Sequence, residues 1–348
     1  METSTAVQTQ ITPARIIETG MAFFSSKALL SAVKLGVFTS LGGNKKLSGK
    51  EIQQAIGLSD RAVYDFLDGL VSLGFLNRTG LLETAEYSNT EETELFLDKN
   101  KPSYVGGILE MANDRLFRFW ADLDDALLTG RPQNELKRNG KSMFDELYSD
   151  PARLKQFIHA MSGISTGNYV AFANTFDFSP YQTLCDIGGA AGILSIQVAK
   201  HNPHMNCTSL DLPQVTPITN ETIAAHGVTD KVKSGIINFF TDEFPKADII
   251  TMGMILHDWD LENKKMLIKK AYNALPEGGA FVAIESLIDD DRRKSTFGLM
   301  MSLNMLIEFG VAFDFTGADF ESWAKEAGFK KVEIIHLAGP TSAAIAYK

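Results

Sequence analysis

The sequence predicts an α/β protein in which a doubly wound, mostly parallel sheet follows a smaller helical domain. From residue 183 onward, apolar strand-like segments alternate with helical ones, which is typical of a parallel sheet covered by helices on both faces. Before them, helical periodicity dominates, in the order helix, turn, helix, hairpin that is typical of a winged helix. The length of 348 residues suits two domains, which we expect at residues 1–105 and 106–348.

Local signals predict the N-terminal domain. Residues 16–41 have helical spacing but are apolar around most of the circumference, so another part of the chain or a second subunit must cover them. Ser48 and Glu51 form a capping-box pattern, and Ser59 is expected to cap the next helix, which has a single apolar face. A short hairpin around residues 78–80 completes the predicted winged helix.

The C-terminal domain is predicted from a change in the hydrophobic pattern, from helical spacing alone to strands that alternate with helices. Helices are expected at residues 109–129 and 153–172, and strands alternate with helices after them. Each predicted strand is a short apolar run. The strands lie at residues 183–187, 207–210, 232–237, 247–252, 280–285, 331–336 and 343–346. This pattern predicts a sheet whose parallel strands are buried on both faces.

Composition argues against several classes of function. The net charge is -10, and the predicted recognition helix carries three Asp residues against Arg61 alone, which disfavours DNA binding. The two cysteines form no CxxC or Cys/His pattern, so we expect neither a disulfide framework nor a bound metal. No apolar run approaches the roughly 18 residues of a membrane span, and the tail-like residues 1–10 lack a signal pattern. These features predict a cytoplasmic protein.

Residues that carry chemistry follow the ends of the predicted strands. A glycine-rich turn at residues 186–192 follows the first strand, and Asp211 ends the second, where a carboxylate can bind ribose hydroxyls. His257 follows the fourth strand and is suited to accept a proton near neutral pH. Glu285 ends the fifth strand, and with Asp314 it is suited to orient an imidazole. The glycine turn together with Asp211 favours a nucleoside ligand. His257 taken alone is more often a hydrogen-bonded structural residue, so its role stays open at this point.

Together these motifs resemble the plant and bacterial small-molecule O-methyltransferases, the family of caffeic acid and acetylserotonin O-methyltransferases. The resemblance covers nearly the whole chain and rests on Asp-x-Gly-Gly at Asp186, Asp-Leu-Pro at Asp211, His-Asp-Trp at His257 and Leu-Pro-x-Gly-Gly at Leu275. It implies a Rossmann-like class I methyltransferase sheet with one antiparallel strand, after a winged-helix dimerisation domain. It also implies S-adenosyl-L-methionine as cofactor, S-adenosyl-L-homocysteine as its product, a small-molecule acceptor and a homodimer, without metal, nucleic acid or membrane.

The resemblance further implies roles for individual residues. His257 matches the general base of the family, and Glu285 and Asp314 match its two supporting acids. The positions that match cofactor-binding residues are Asp186, Gly188, Gly189, Gly192, Asp211, Leu212, Asn238, Phe239, Gly253, Met161 and Ser165. The positions that match the acceptor pocket are Met111, Asn113, Phe117, Trp120, Met254, Asp258, Met301, Asn304 and Met305. In the plant enzymes an Asp stands at the position of Asn238 and a Lys at that of Gly253.

Other functions stay open at this point. The same cofactor would also serve S- or C-methylation of an acceptor that needs no base, or a family member that no longer methylates. Two further candidates belong to other functional classes. One is a winged-helix transcriptional regulator, and the other is an NAD-dependent reductase built on the same kind of sheet. A DNA-binding assay at low salt tests the first of these, and calorimetry with S-adenosylhomocysteine and NADH tests the second.

Overall fold

The computed structural model describes residues 11–348, apart from the side chains of Asn139 and Asp145. The tail expected at residues 1–10 therefore lies outside the described residues. Within the described part, a helical segment with a three-stranded sheet comes first, and a seven-stranded sheet with its helices follows. The two parts form separate compact units, while the exact domain boundary between residues 105 and 106 stays a prediction.

The first compact unit ends at Asp114 and combines short helices with a small antiparallel sheet. Its helices α1–α7 are Ala14–Met21, Phe23–Leu35, Val37–Ser40, Gly49–Ile56, Val63–Ser72, Glu91–Phe96 and Gly106–Met111. Its strands β1–β3 are Leu47–Ser48, Leu76–Thr79 and Glu86–Asn89, in the order β1-β3-β2. Phe38, Leu67 and Tyr87 are fully buried in the core that joins helices and sheet.

The predicted order of helix, turn, helix and hairpin is present in this unit. The Ser48 hydroxyl accepts a hydrogen bond from the Glu51 amide, and the Glu51 carboxylate accepts one from the Ser48 amide, so the capping box is confirmed. The predicted cap by Ser59 is wrong, because α5 begins after Ala62 without a side-chain cap. The second strand of the hairpin starts only at Glu86, since a short 3-10 turn precedes it.

The apolar N-terminal segment is divided into α1, α2 and α3, with Gly36 in a left-handed conformation at the end of α2. Several of its large apolar side chains, Phe23 and Phe24 among them, are exposed within the described chain, whereas Leu30 and Phe38 are buried. The helical segment Ala14–Leu35 is long and apolar enough to cross a membrane by length and composition, so the prediction that no such run exists is wrong. Ser, Thr and Lys interrupt the apolar residues, so the segment contains no long continuous apolar run although its mean hydropathy is high. Length and composition alone do not distinguish a membrane span from a helix that another protein surface covers.

The second compact unit is built on one sheet with helices on both faces. Its strands β4–β10 are Thr183–Ile187, Asn206–Asp211, Val232–Ile236, Ile249–Gly253, Ala280–Glu285, Lys331–His336 and Ser342–Tyr347. They lie in the order β6-β5-β4-β7-β8-β10-β9. Neighbours from β6 to β8 are parallel, and β10 is antiparallel to both β8 and β9. The predicted doubly wound, mostly parallel sheet with one antiparallel strand is confirmed.

The helices of this unit position the edge of the sheet at which a ligand site is expected. Helices α8–α17 are Phe117–Phe119, Leu123–Thr129, Glu135–Asn139, Met143–Ser149, Pro151–Thr175, Ile193–His201, Thr216–Ala225, Leu261–Ala274, Thr296–Phe309 and Gly317–Ala327. The single helix expected at residues 109–129 is interrupted by a π-helical turn and a 3-10 turn. Strand order reverses between β4 and β7, and ligands of open α/β sheets bind outside the carboxyl ends of the strands at such a switch point.

Candidate active site

The glycine turn between β4 and α13 lies at this switch point. The Gly188 and Gly189 amides donate to the Leu210 carbonyl at 2.8 and 3.1 Å, which fastens the turn to β5. A Cβ on Gly189 would lie 2.2 Å from Ser209 Oγ and 2.7 Å from Asp186 Oδ2, so no larger residue fits without displacing them. The turn therefore brings bare backbone to the edge of the sheet, where a ligand can approach closely.

A buried carboxylate, Asp186, and a half-buried one, Asp211, flank the turn. Asp211 accepts the Ala190 amide at 2.9 Å through Oδ2 and the Leu212 amide at 2.7 Å through Oδ1. Asp186 Oδ1 accepts the Thr251 hydroxyl at 2.7 Å. Burial raises the pKa of Asp186 to about 7, against the hydrogen bond from Thr251, and burial also raises the pKa of Asp211. Both side chains are thus poised to gain from a ligand that brings hydrogen-bond donors or positive charge.

Two polar atoms at this edge have no hydrogen-bond partner among residues 11–348. They are the Ser209 hydroxyl and the indole nitrogen of Trp259. The Trp259 ring packs edge-on against Phe239 and Phe240, with centroids 5.9 and 4.6 Å apart, and nearly parallel to Phe144 at 6.2 Å. Because buried polar groups in folded proteins almost always have partners, an unpaired hydroxyl beside the glycine turn and an unpaired indole N–H among aromatic rings indicate a site for a flat, polar ligand.

His257 is buried in the 3-10 turn that follows β7. Its Nδ1 lies 2.6 Å from Glu285 Oε2, and its Nε2 lies 3.3 Å from Asp258 Oδ1. The other oxygen of Glu285 accepts the amides of Ile255 and Leu256 at 3.1 and 2.9 Å. One carboxylate at the end of β8 therefore fixes both the backbone of the turn and the orientation of the imidazole ring.

The charges around His257 favour its protonated form. Burial alone would lower the pKa of His257, but Glu285 and Asp258 raise it to about 10. Burial raises the pKa of Asp258 to about 6 and that of Asp314 to about 7, in both cases against the positive charge of His257. Asp314 Oδ2 is buried and has no hydrogen-bond partner in the described part of the chain. The arrangement can therefore receive a proton on the ring and stabilise the resulting charge.

The remaining predicted cofactor residues lie on elements around the same edge. Met161 and Ser165 are on α12, which also carries Tyr169, and a Cβ on Gly253 would lie 2.7 Å from the Tyr169 hydroxyl. Asn238 follows β6 and accepts the Phe240 amide through Oδ1 at 3.1 Å. Part of the hydrogen-bonding capacity of that side chain is therefore used within its own turn.

The residues predicted for the acceptor pocket fall into two groups. Helix α16 carries Met301, Asn304 and Met305; the Asn304 amide oxygen accepts the Trp120 indole N–H at 2.9 Å, and its nitrogen is 3.9 Å from the Met301 sulfur. Two others are half-buried in the same unit, Phe117 and Met254. The second group, Met111 and Asn113, belongs to the first compact unit. There the Asn113 side chain accepts a hydrogen bond from Lys27. The role of both groups stays a prediction.

Several residues at the site were not identified from the sequence. The Thr251 hydroxyl donates a hydrogen bond to Asp186. The pKa of Tyr148 on α11 is raised mainly by burial and further by the nearby charges of Asp211 and Asp258. Lys264 on α15 is fully buried. The alternation of β7 would have pointed to Thr251, but nothing in the local pattern of α11 or α15 marks the other two. Within residues 11–348, no group of three or more His, Cys, Asp or Glu side chains is arranged to hold a metal ion.

A glycine turn at the switch point of a parallel sheet, next to a buried histidine held by a carboxylate, is typical of enzymes that bind a nucleoside cofactor and act on a second molecule. Family models define the class more closely. Residues 120–330 match the O-methyltransferase domain, and residues 17–99 match the O-methyltransferase dimerisation domain. The chain belongs to the O-methyltransferase family and is an S-adenosylmethionine-dependent methyltransferase.

Individual relatives agree with this assignment. The chain is 37% identical to the tetracenomycin polyketide synthesis 8-O-methyl transferase TcmO of Streptomyces glaucescens, over 97% of each chain. It is 28% identical to the 3-hydroxy-5-methyl-1-naphthoate 3-O-methyltransferase of Streptomyces sahachiroi, over 94% of this chain and 92% of the relative. The crystal structure of human N-acetylserotonin methyltransferase in complex with S-adenosylmethionine superposes with a TM-score of 0.90 at 26% identity, covering 99% of both chains.

Proposed function

We propose that the protein transfers the methyl group of S-adenosylmethionine to a hydroxyl oxygen of a small, flat aromatic acceptor, with His257 as general base. The relatives support an oxygen acceptor, because two of the similar Streptomyces enzymes are named for O-methylation, one of them for a naphthoate, while a third is named for N,N-dimethylation. The half-buried and buried side chains of α16 support a flat acceptor, since methionine sulfur packs well against aromatic rings.

The observation that carries the proposal is the 2.6 Å contact between His257 Nδ1 and Glu285. With Nδ1–H donating to the carboxylate, Nε2 is the atom that takes the proton of the acceptor hydroxyl. Asp258, beside Nε2, accepts a hydrogen bond from the ring once it is protonated. Asp314 adds a third negative charge that favours the imidazolium. A base positioned in this way contributes about 10²- to 10⁴-fold to the rate of such transfers.

The residues of the glycine turn fit the cofactor. When bound, S-adenosylmethionine supplies an electrophilic methyl group. Asp211 would bind the ribose hydroxyls, as carboxylates at the end of the second strand do in related sheets. Asp186 and the turn glycines would hold the charged methionine end of the cofactor. Trp259 and Phe239 would cover its adenine ring. The unpaired Ser209 hydroxyl and Trp259 indole nitrogen support this assignment, since a polar ligand would satisfy them.

The proposed enzyme is a homodimer in the cytoplasm. The exposed apolar side chains Ile17, Met21, Phe23 and Phe24 lie inside the segment that matches the dimerisation domain, and a second copy would remove them from water. Cys185 and Cys207 are free and buried, which suits a reducing compartment.

A screen of acceptors tests the proposed reaction. With S-adenosylmethionine present, we expect naphthols and hydroxynaphthoates to yield methyl ethers, while the corresponding deoxy compounds, thiols and thioethers give no product. Mass spectrometry of the acceptor, together with formation of S-adenosylhomocysteine, measures the transfer. Methylation of sulfur or carbon in the absence of any ether would contradict the proposal of an oxygen acceptor.

Replacing Asp211 with Asn tests the cofactor site. The amide keeps the size of the side chain and one acceptor oxygen but loses the charge, and hydrogen bonds to a charged group contribute about 1.5–3 kcal/mol. We therefore expect calorimetry to show about 10- to 100-fold weaker binding of S-adenosylhomocysteine. Asp177→Asn is the matched control, because Asp177 also accepts a backbone amide in a turn but is exposed. Equal affinity in wild type and Asp211→Asn would remove Asp211 from the cofactor site.

A further inference from the structure

We propose that the ring of Phe144 couples the cofactor to the acceptor. Binding of the cofactor fixes this ring, and the ring fixes the end of α16, so the acceptor binds more tightly after the cofactor than before it. The inference rests on the proposed binding of a nucleoside cofactor and an aromatic acceptor, but not on the role of His257 as base. Phe144 lies on α11, and no local pattern in the sequence marks this helix as part of the site.

The ring of Phe144 stacks on rings from two other elements. Its centroid lies 6.2 Å from that of Trp259, with 21° between the ring planes, and 5.5 Å from that of Phe309, with 18° between the planes. Both distances lie within the range of about 4.5–7 Å that favourable aromatic pairs adopt. Trp259 follows the turn that carries His257, and Phe309 is the last residue of α16. One side chain therefore connects the backbone next to the base with the end of α16.

Trp259 belongs to the proposed cofactor side of this connection. Its indole nitrogen has no hydrogen-bond partner within residues 11–348, and its ring also packs edge-on against Phe239 and Phe240. A nucleoside that pairs with this nitrogen or lies against these rings favours one position of the indole ring over others. Because Phe144 stacks on the indole ring, the same ligand also favours one position of Phe144.

Phe309 belongs to the proposed acceptor side. It lies four residues after Met305 on α16, and side chains at that spacing share one face of a helix. Met301 and Asn304 of the same helix lie close together, with 3.9 Å between the sulfur and the amide nitrogen, and they are also predicted to bind the acceptor. The stacking of Phe144 on Phe309 therefore affects the part of α16 that the acceptor is expected to contact.

The short length of α11 makes its position sensitive to these stacks. The helix has only seven residues, and so short a helix is not stable in water by itself. Leu147 is buried in the hydrophobic core, whereas Phe144 and Tyr148 are half-buried and stack on each other with centroids 5.8 Å apart. Ligands on either side that add contacts to the stacked rings favour the same placement of α11. A placement that two ligands both favour gives positive coupling between them.

Hydrogen exchange measured by mass spectrometry tests this coupling with S-adenosylhomocysteine alone. In the wild type, the ligand should slow exchange in the glycine turn and also at the end of α16, there by about 2- to 10-fold, the size expected of one aromatic pair. Phe144→Leu keeps an apolar side chain but removes the ring. The ligand should still protect the glycine turn in this variant, but no longer the end of α16. Phe144→Tyr keeps the ring and should behave as the wild type.

Phe297→Leu is the matched control, because Phe297 is also an aromatic residue of α16 but is exposed near the start of the helix. It should retain the protection at the end of α16. Phe309→Leu removes the other partner of the stack, so the ligand should still slow exchange in α11 but not at the end of α16. Equal protection of this end in Phe144→Leu and in the wild type would overturn the proposal. Protection of the glycine turn alone in the wild type would do the same.

Calorimetry with 2-naphthol, one of the naphthols of the acceptor screen, gives a second readout. In the wild type, S-adenosylhomocysteine should lower the dissociation constant of 2-naphthol by about 2- to 10-fold, and 2-naphthol should strengthen binding of S-adenosylhomocysteine by the same factor, since coupling is reciprocal. Phe144→Leu should abolish both effects, and equal factors in the two proteins would count against Phe144. Methylation of sulfur or carbon in the screen would change the acceptor atom of the proposed function and leave these outcomes unaltered.

Discussion

Replacing His257 with alanine is expected to lower kcat for methyl transfer by about 10²- to 10⁴-fold, because the acceptor hydroxyl loses the group that takes its proton. The affinity for S-adenosylhomocysteine should change little, since within residues 11–348 the polar contacts of the ring are with Glu285 and Asp258 rather than with the glycine turn. Product formation and calorimetry on the same preparation separate the two effects.

The pH dependence gives the same experiment a second readout. Because the pKa of His257 is raised to about 10, the neutral base becomes more abundant as the pH rises towards that value, and kcat of the wild type should rise with it. His257→Ala should lose this rise. His336→Ala is the control, since His336 is an exposed residue at the end of β9. An unchanged kcat in His257→Ala would favour an acceptor that needs no base, such as a sulfur or carbon atom.

Replacing Glu285 with alanine is expected to damage both stability and turnover. The carboxylate accepts the amides of Ile255 and Leu256 and holds His257, so three donors, two of them buried, lose their partner at once. Removing one member of a buried charge pair typically costs about 3–5 kcal/mol, and we expect a loss of that size in the free energy of unfolding in urea. Turnover should fall at least as far as in His257→Ala, because the turn that carries the ring loses its support as well.

Glu285→Gln separates the charge from the hydrogen bonds. The amide oxygen still accepts the turn amides, so the loss of stability should be smaller, while the pKa of His257 should fall towards its ordinary value of 6.5. A histidine whose pKa is raised on folding contributes stability below its unfolded pKa, and this contribution disappears as the pH rises through the folded value. The variant should therefore lose stability mainly below about pH 10. Glu333→Ala, which removes a partly exposed ion pair with Lys331, should cost at most about 1 kcal/mol. Wild-type stability in Glu285→Ala would contradict the described support of the turn.

The strands could be predicted closely because parallel strands buried on both faces form continuous apolar runs. The predicted bounds of β4 and β8 match the structure to the residue, and so do those of β9, although it is an edge strand that is not buried. The Ser59 cap and the second strand of the hairpin could not be predicted in this way, since several turn-forming residues compete there and packing selects among them. The continuous helix expected at residues 109–129 was wrong for the same reason: its periodicity persists through turns that change the helical type.

The sequence by itself determined which edge of the sheet carries the chemistry. Asp186, Asp211, His257 and Glu285 each lie at or just after the carboxyl end of one of the mutually parallel strands β4, β5, β7 and β8, so chain connectivity alone brings them to the same edge. Only the tertiary structure decided which residues surround them. Lys264 resembles the solvent-facing lysines of α15 in its sequence, and it becomes part of the site because the Phe313 and Phe315 rings cover it. Burial depends on neighbours that are distant in the chain, and a local pattern does not contain them.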